Sequence, residues 1–167
     1  MKQVKAMMTL GLILSFGDQI FAQEVLPEIT VMAVRYKYLS AVGQKDLAQP
    51  VKMLERKAAT YNIKNTDYYE DEYDTYFVSF IIPEGEILAA YDKDGKLLHT
   101  AEKYKNVALP EVVRNAVTKR FPKWGIPNDT YLVNYFQEGG TTKIYKLTLE
   151  NGDQRLKVKV NEKGEFL

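Results

Sequence analysis

The sequence predicts an α+β fold, with helices packed on one face of an antiparallel sheet, and three observations predict it. Two stretches with helical spacing each begin at a proline, "PVKMLERKAATY" from Pro50 and "PEVVRNAVTKRFP" from Pro110. Each is followed by segments rich in β-branched and aromatic residues. Each series then closes on a similar turn, "DKDGKLL" at 92–98 and "NEKGEFL" at 161–167. Helix, strands and turn therefore occur twice, as tandem repeats over 46–104 and 105–167, which is the arrangement expected of helices laid over hairpins.

Composition sets the bounds. With 167 residues, 46% hydrophobic and 27% charged, the chain has the make-up of one globular domain or two small halves sharing a core. Twelve tyrosines against one tryptophan and seven phenylalanines favour strands and half-wet surfaces, since Tyr packs with its ring and wets its hydroxyl. There is no cysteine, which removes disulfides and thiolate metal sites.

The first element to set aside is 1–22. Lys2 and Lys5 precede an apolar run from Ala6 to Phe16, and Ile20-Phe21-Ala22 fits a signal-peptidase cut after Ala22. The run is short of the ~20 apolar residues that span a bilayer. This layout predicts an exported protein, periplasmic or secreted, with no membrane insertion once the leader is removed. Without Lys2, Lys5 and Asp18 the remaining chain has no net charge, which gives no footprint for nucleic acid or an anionic membrane.

Segment 23–45 contains "EITVMAVRYKYLSAV", Glu28 to Val42, whose β-branched and aromatic content predicts a strand, although its alternation is imperfect. Asp46 then offers a cap and Pro50 a first helical turn, and Val51, Leu54, Ala58 and Tyr61 recur at helical spacing, predicting a helix over Leu47–Tyr61. A polar acidic lead-in follows, before a run from Tyr76 to Ile82 expected to be a buried strand. "EILAAYD" and "KLLHTAE" predict two short strands around the 92–95 turn. A second helix from Pro110 presents Val112, Val113, Ala116, Val117 and Phe121 on one side and ends at Pro122. "TYLVNYFQE", "TKIYKLTLE" and "QRLKVKVN" are three strands separated by the hairpin signals Gly139-Gly140 and Asn151-Gly152. In the last, Leu156, Val158 and Val160 alternate with Arg155, Lys157 and Lys159, predicting one buried face and one basic stripe.

The turn at 92–95 has the Asp-x-Asp-Gly order that opens a calcium loop. Such a loop needs a bidentate Glu at its twelfth position, which here is Lys103, and the second copy has Asn161 and Lys163 where the first has Asp92 and Asp94. A hairpin turn needs only the glycine and turn-tolerant neighbours, and both copies have them.

"YDKDGKLLHTAE", the "LPEVVRNAVTKRFP" helix with its closing Phe-Pro, and "YKLTLENGDQRLKVKVNEKGEFL" together resemble the PepSY-like, β-lactamase-inhibitor-protein-like domains exported by Gram-negative bacteria. The resemblance covers roughly Tyr76 to Leu167, with a fainter copy from Pro50. It implies a tandem helix-plus-sheet fold in the cell envelope and a role in protein binding or inhibition. That family has no shared catalytic set, so no catalytic residue and no cofactor is carried over. The segment around Thr30 to Ser40 lies outside the pattern.

The residues themselves agree in offering little enzymatic chemistry. His99 is the only histidine, too few for a multi-histidine metal site or a paired-histidine nucleotide motif, and no Ser stands in a nucleophile elbow. No glycine-rich phosphate loop is present. "DYYEDEYD", Asp67 to Asp74, could hold a divalent cation through oxygen ligands, could dock a basic partner, or could be a solvated loop. Trp124, within "KRFPKWG", either packs between a helix end and the sheet or anchors a partner. The outer face of the C-terminal sheet gathers Ile144, Lys146, Arg155, Lys157 and Lys159, with Tyr131 and Tyr135 together on one face of their own strand. Tyr among cations on a sheet face suits an acidic protein or peptide. Two functions are therefore expected: a non-catalytic protein-binding module acting through Tyr131, Tyr135, Ile144, Lys146, Arg155, Lys157, Lys159 and Trp124, or a calcium-responsive envelope protein using Asp67–Asp74.

Overall fold

The computed structural model describes residues 27–167, with side chains from residue 32 onward. The leader expected over 1–22 and the start of the segment after it lie outside the described residues. The chain runs α1 (Pro27–Val42), α2 (Gln49–Thr60), a short 3-10 turn (Ile63–Asn65), β1 (Thr75–Ile82), β2 (Gly85–Asp92), β3 (Leu97–Lys105), α3 (Glu111–Arg120), β4 (Gly125–Phe136), β5 (Gly140–Asn151) and β6 (Gln154–Asn161). The six strands form one antiparallel sheet in sequence order, so every strand lies beside its chain neighbour. The mixed helix-and-sheet architecture is the α+β fold expected.

The first element corrects the sequence reading. Glu28–Val42 is not a strand but most of α1. Val34, Tyr38 and Val42, four residues apart, are buried, so helical spacing and packing override the β-branched composition. The imperfect alternation was the sign of it. α2 falls where expected, but Asp46 does not cap it: the N-cap is Ala48, which has no side-chain bond, and Pro50 occupies the first turn. In α3 the buried face narrows to Val113 and Val117, Val112 being exposed.

Burial in the sheet is one-sided. Tyr76 and Phe80 of β1, Ile87, Ala89 and Tyr91 of β2, Thr100, Glu102 and Tyr104 of β3, and Tyr131, Val133 and Tyr135 of β4 are all buried, as are Lys143, Tyr145, Leu147 and Leu149 of β5. The pairing register puts these residues on a common face. α2 lies against β1 and β2, and α1 against β3, β4 and β5. The expected continuous burial of Tyr76–Ile82 is therefore corrected: β1 is an edge strand covered on one side, and Phe77 and Ile81 are exposed. β6 is the other edge. Its alternation is as read, but burial fades along it, from Val160, buried, through Val158, half-buried, to Leu156, 37% exposed. Pro127, which cannot donate to a ladder, sits where the β4–β5 register shifts between Gly125 and Asn128.

Two turns share one hydrogen-bond pattern. Asp92 Oδ1 accepts from the N–H of Asp94 at 2.9 Å and of Lys96 at 2.8 Å; Asn161 Oδ1 accepts from Lys163 and Glu165, both at 3.0 Å. Gly95 and Gly164 have φ of 81° and 82°, a conformation that other residues adopt at a cost. Asp92 and Asn161 serve as turn formers, and among the described residues no group of three or more His, Cys, Asp or Glu could hold a metal ion.

Candidate functional site: the open face of the sheet

Opposite the buried face, the register gathers a second set of side chains into cross-strand rows. Phe77, Ala90, His99 and Phe136 form one row across β1–β4; Ser79, Leu88, Ala101 and Asn134 form the next. Ile81, Glu86, Lys103, Leu132 and Ile144 form a third, and Lys105, Thr130, Lys146 and Lys159 a fourth. Thr148 opposite Lys157 and Glu150 opposite Arg155 complete the face toward the β5–β6 turn. The result is an apolar half on β1–β4 and a basic half on β3–β6.

The apolar half is unusually exposed for its composition. Phe77 and Ile81 expose 70% and 71% of their surface, and Phe136 and Leu88 50% and 45%. Phe77, Ile81 and Leu88 lie on β1 and β2, and His99 of β3, stacked on Phe136, links them to β4; an apolar patch of this kind is what a binding surface presents. His99 stacks on Phe136 with ring centroids 4.2 Å apart, and burial pushes its pKa down, so it is a neutral packing residue of this surface at pH 7.

The basic half is under-compensated. Arg155 Nε bonds Glu150 Oε1 at 2.7 Å, so this expected cation is neutralised across its own hairpin. Lys146, Lys157 and Lys159 have no acidic ion-pair partner among the described residues. With Thr130 and Thr148 they line a groove of about 360 Å³. Lys146 stands directly opposite Lys159, and like charges so placed cost up to about 1 kcal/mol in an antiparallel pair. An anionic group over the groove removes that cost.

Of the eight residues expected at a binding site, Ile144, Lys146, Arg155, Lys157 and Lys159 do share this face. Tyr131 and Tyr135 do not. They are 0% and 1% exposed, on the other side of β4, beneath α1: Tyr135 meets Tyr38 edge-on at 5.1 Å, and Tyr131 stacks on Tyr145 at 4.4 Å. β4 is apolar on both faces, and the sequence alone left its orientation open; α1, read as a strand, was the missing cover. Trp124 is half-buried just before β4, packed against the core with Phe121 at 6.1 Å. The Asp67–Asp74 run is an exposed lead-in to β1, pinned by Tyr69 stacking on Tyr76 and by a Tyr76–Glu70 bond.

Sequence reasoning also missed a buried polar centre. Glu102 is 3% exposed, and its carboxylate accepts from Tyr38 at 2.8 Å, Thr100 at 2.7 Å and Tyr104 at 2.8 Å. Burial pushes its pKa up; the three hydroxyl bonds and Lys143 pull it back down. Glu55 of α2 is 2% exposed and its Oε1 has no hydrogen-bond partner. Burial, and then repulsion from Glu102, raise its pKa to about 8, while Lys143 and Lys52 oppose the rise. Tyr38 ties α1 to this centre through its bond to Glu102, and Glu55 brings an unbonded carboxyl of α2 close to it. The one available signal was Glu55 at the helical position between Leu54 and Ala58, where a charged residue reads as surface.

No protein-family model matches the chain, and no curated protein matches it. Among the described residues no helix is long and apolar enough to cross a membrane.

Proposed function

We propose that the protein is an exported, non-catalytic binding module that grips an acidic, partly apolar protein segment on the open face of its sheet, and inhibits that protein where the face covers its working surface. The observation that carries this reading is the pairing, on one uncovered face, of Phe77, Ile81, Leu88 and Phe136 with Lys146, Lys157 and Lys159. Apolar side chains supply affinity and the lysines supply register and steering. A partner carboxylate over the Lys146–Lys159 pair would relieve its repulsion.

The reading includes a tandem organisation, α2 with β1–β3 and α3 with β4–β6, the helices lying on the face away from the partner. The matching bonds of Asp92 and Asn161 support it. So does the packing beside each turn glycine, Ile63 at Gly95 and Ala116 of α3 at Gly164. A PepSY-like, β-lactamase-inhibitor-like relationship and a periplasmic or secreted location belong to the same proposal. They rest on the quoted motifs and on the leader over 1–22. The non-catalytic part of the reading rests on the sequence, in which His99 is the sole histidine and no Ser stands in a nucleophile elbow.

The test is capture from cell-envelope extract with the wild-type chain beside a Lys157→Glu, Lys159→Glu double variant. A protein retained by the first, lost by the second, and bound again in purified form with strong salt dependence is the expected result. Equal retention by both chains would reject the open face as the site.

A further inference from the structure

The two edges of the sheet are built differently. β6 carries Arg155, Lys157 and Lys159, and the C-terminal tail folds back onto it: Val160 bridges Phe166, and the Leu167 N–H bonds the Lys159 carbonyl at 3.0 Å. Charge and a covering segment are how sheets blunt an edge. β1 has neither device. Thr75–Ile82, "TYFVSFII", contains no ionisable carboxylate or amine and no proline, and among the described residues no strand pairs with its outer side. Six apolar residues among the eight of an open edge strand are a template for strand addition.

We propose that the protein forms a homodimer in which the β1 strands of two copies pair antiparallel about a two-fold axis, joining two six-stranded sheets into one. Three observations fix the second copy as the occupant and set its orientation. First, β1 is self-complementary. With Ser79 opposite Ser79 of the second copy, Phe77 meets Ile81, Val78 meets Phe80 and Tyr76 meets Ile82, so every pair on either face but the central serines is apolar. Second, the tail covers the Lys159–Asn161 end of β6 and Arg155 and Lys157 charge the rest, so β6 offers β1 no apolar match, and an isologous β1–β1 joint closes at two copies. Third, the acidic run Asp67–Asp74 leads directly into β1. Parallel pairing would set two such runs side by side; antiparallel pairing sends them to opposite ends of the joint.

The dimer also gives exposed side chains a place. Phe77 and Ile81 would continue the apolar half of the open face into that of the second copy, and the basic halves would flank it at both ends. The joint does not depend on the partner reading: it uses the edge of the sheet and not its face.

Sedimentation of the purified protein, with Ser79→Glu and Ser79→Lys variants, tests it. The wild type should run at twice the mass of one chain. Each variant faces its own like charge across the axis and should raise the dimer dissociation constant at least about tenfold. Mixing the two variants in equal amounts should restore the dimer, because Glu then faces Lys. Melting midpoints near the wild-type value would show that the variants are folded. A wild type that stays monomeric up to ~100 μM, far weaker than a stable interface, would overturn the proposal. So would variants that remain dimeric, or a mixture that stays monomeric.

Discussion

The two faces of this sheet invert the usual placement of aromatic residues. The buried face holds tyrosines, with Tyr91, Tyr104, Tyr131, Tyr135 and Tyr145 all at 1% exposure or less. The open face holds Phe77 and Phe136, more than half or half exposed. A phenol is buried at least cost when its hydroxyl is bonded: Tyr104 and Tyr38 converge on Glu102 and Tyr91 bonds the Ala58 carbonyl of α2 at 2.6 Å, whereas the hydroxyls of Tyr131, Tyr135 and Tyr145 have no partner among the described residues and those rings are held by packing. The interior is therefore specified by polar bonds as well as by packing. An exposed phenylalanine has no comparable reason to stay in water.

Substitutions on the two sides of β4 test that contrast directly. Tyr131→Ala or Tyr135→Ala should cost about 3–5 kcal/mol, the range for truncating a buried aromatic. Phe136→Ala, one residue from Tyr135 but on the other face, should change stability by no more than ~0.5 kcal/mol. Urea denaturation midpoints at constant slope measure both. Similar costs on the two faces would mean that something covers Phe136, and the open face would cease to be a site.

The buried carboxylates make the contrast depend on pH. Glu55 has an ordinary pKa of 4.5 and a folded value of about 8, so the folded state holds its proton more tightly than the unfolded chain. Stability from this group is then complete below pH ~4.5 and drains away as pH rises to ~8, where Glu55 ionises beside Glu102. The loss over that window is on the order of a few kcal/mol, since each pKa unit is worth 1.36 kcal/mol. Lys143 of β5, Lys52 of α2 and the hydroxyls of Tyr38 and Tyr104 face the same centre, and Lys143, itself depressed by burial, limits the effect. Thermal melts from pH 5 to 9 should show the decline in the wild type and a flatter curve in Glu55→Gln. A wild-type curve that rises with pH would show Glu55 to be an ion-paired carboxylate instead.

How much of this was legible follows from how local each signal is. β2, β3, β5, β6, both later helices and the two turns are announced by residues that contact one another within a few positions: a proline at a helix start, a glycine in a turn, an alternation along one strand. α1 was not, because its helical face is three residues, Val34, Tyr38 and Val42, in a stretch whose composition favours a strand. Once that cover is misread, the orientation of β4 cannot be recovered, since Leu132 and Phe136 rival Tyr131 and Tyr135. The lysine stripe was readable because β6 alternates charge with apolar residues. The Glu55–Glu102 centre was not, because its partners come from α1, α2 and β3, up to 64 residues apart in the chain.

The finest comparison is between the two turns. Asp92 and Asn161 each accept two backbone N–H groups through Oδ1, so replacing either by Ala should cost about 1 kcal/mol, a partly solvated share of two hydrogen bonds. Exchanging the residue types separates them. Asn in place of Asp92 keeps the acceptor and should be nearly neutral. Asp in place of Asn161 loses the bond from Nδ2 to Glu165 Oε2, at 2.6 Å, and sets two carboxylates together. That change should cost a few tenths of a kcal/mol more than its counterpart, and the excess should shrink in high salt, which screens the two carboxylates. If both exchanges are neutral at pH 7, the Asn161–Glu165 contact adds nothing and the two turns are equivalent. An excess that persists in high salt would place its cause in the lost Asn161 Nδ2 bond and not in charge repulsion.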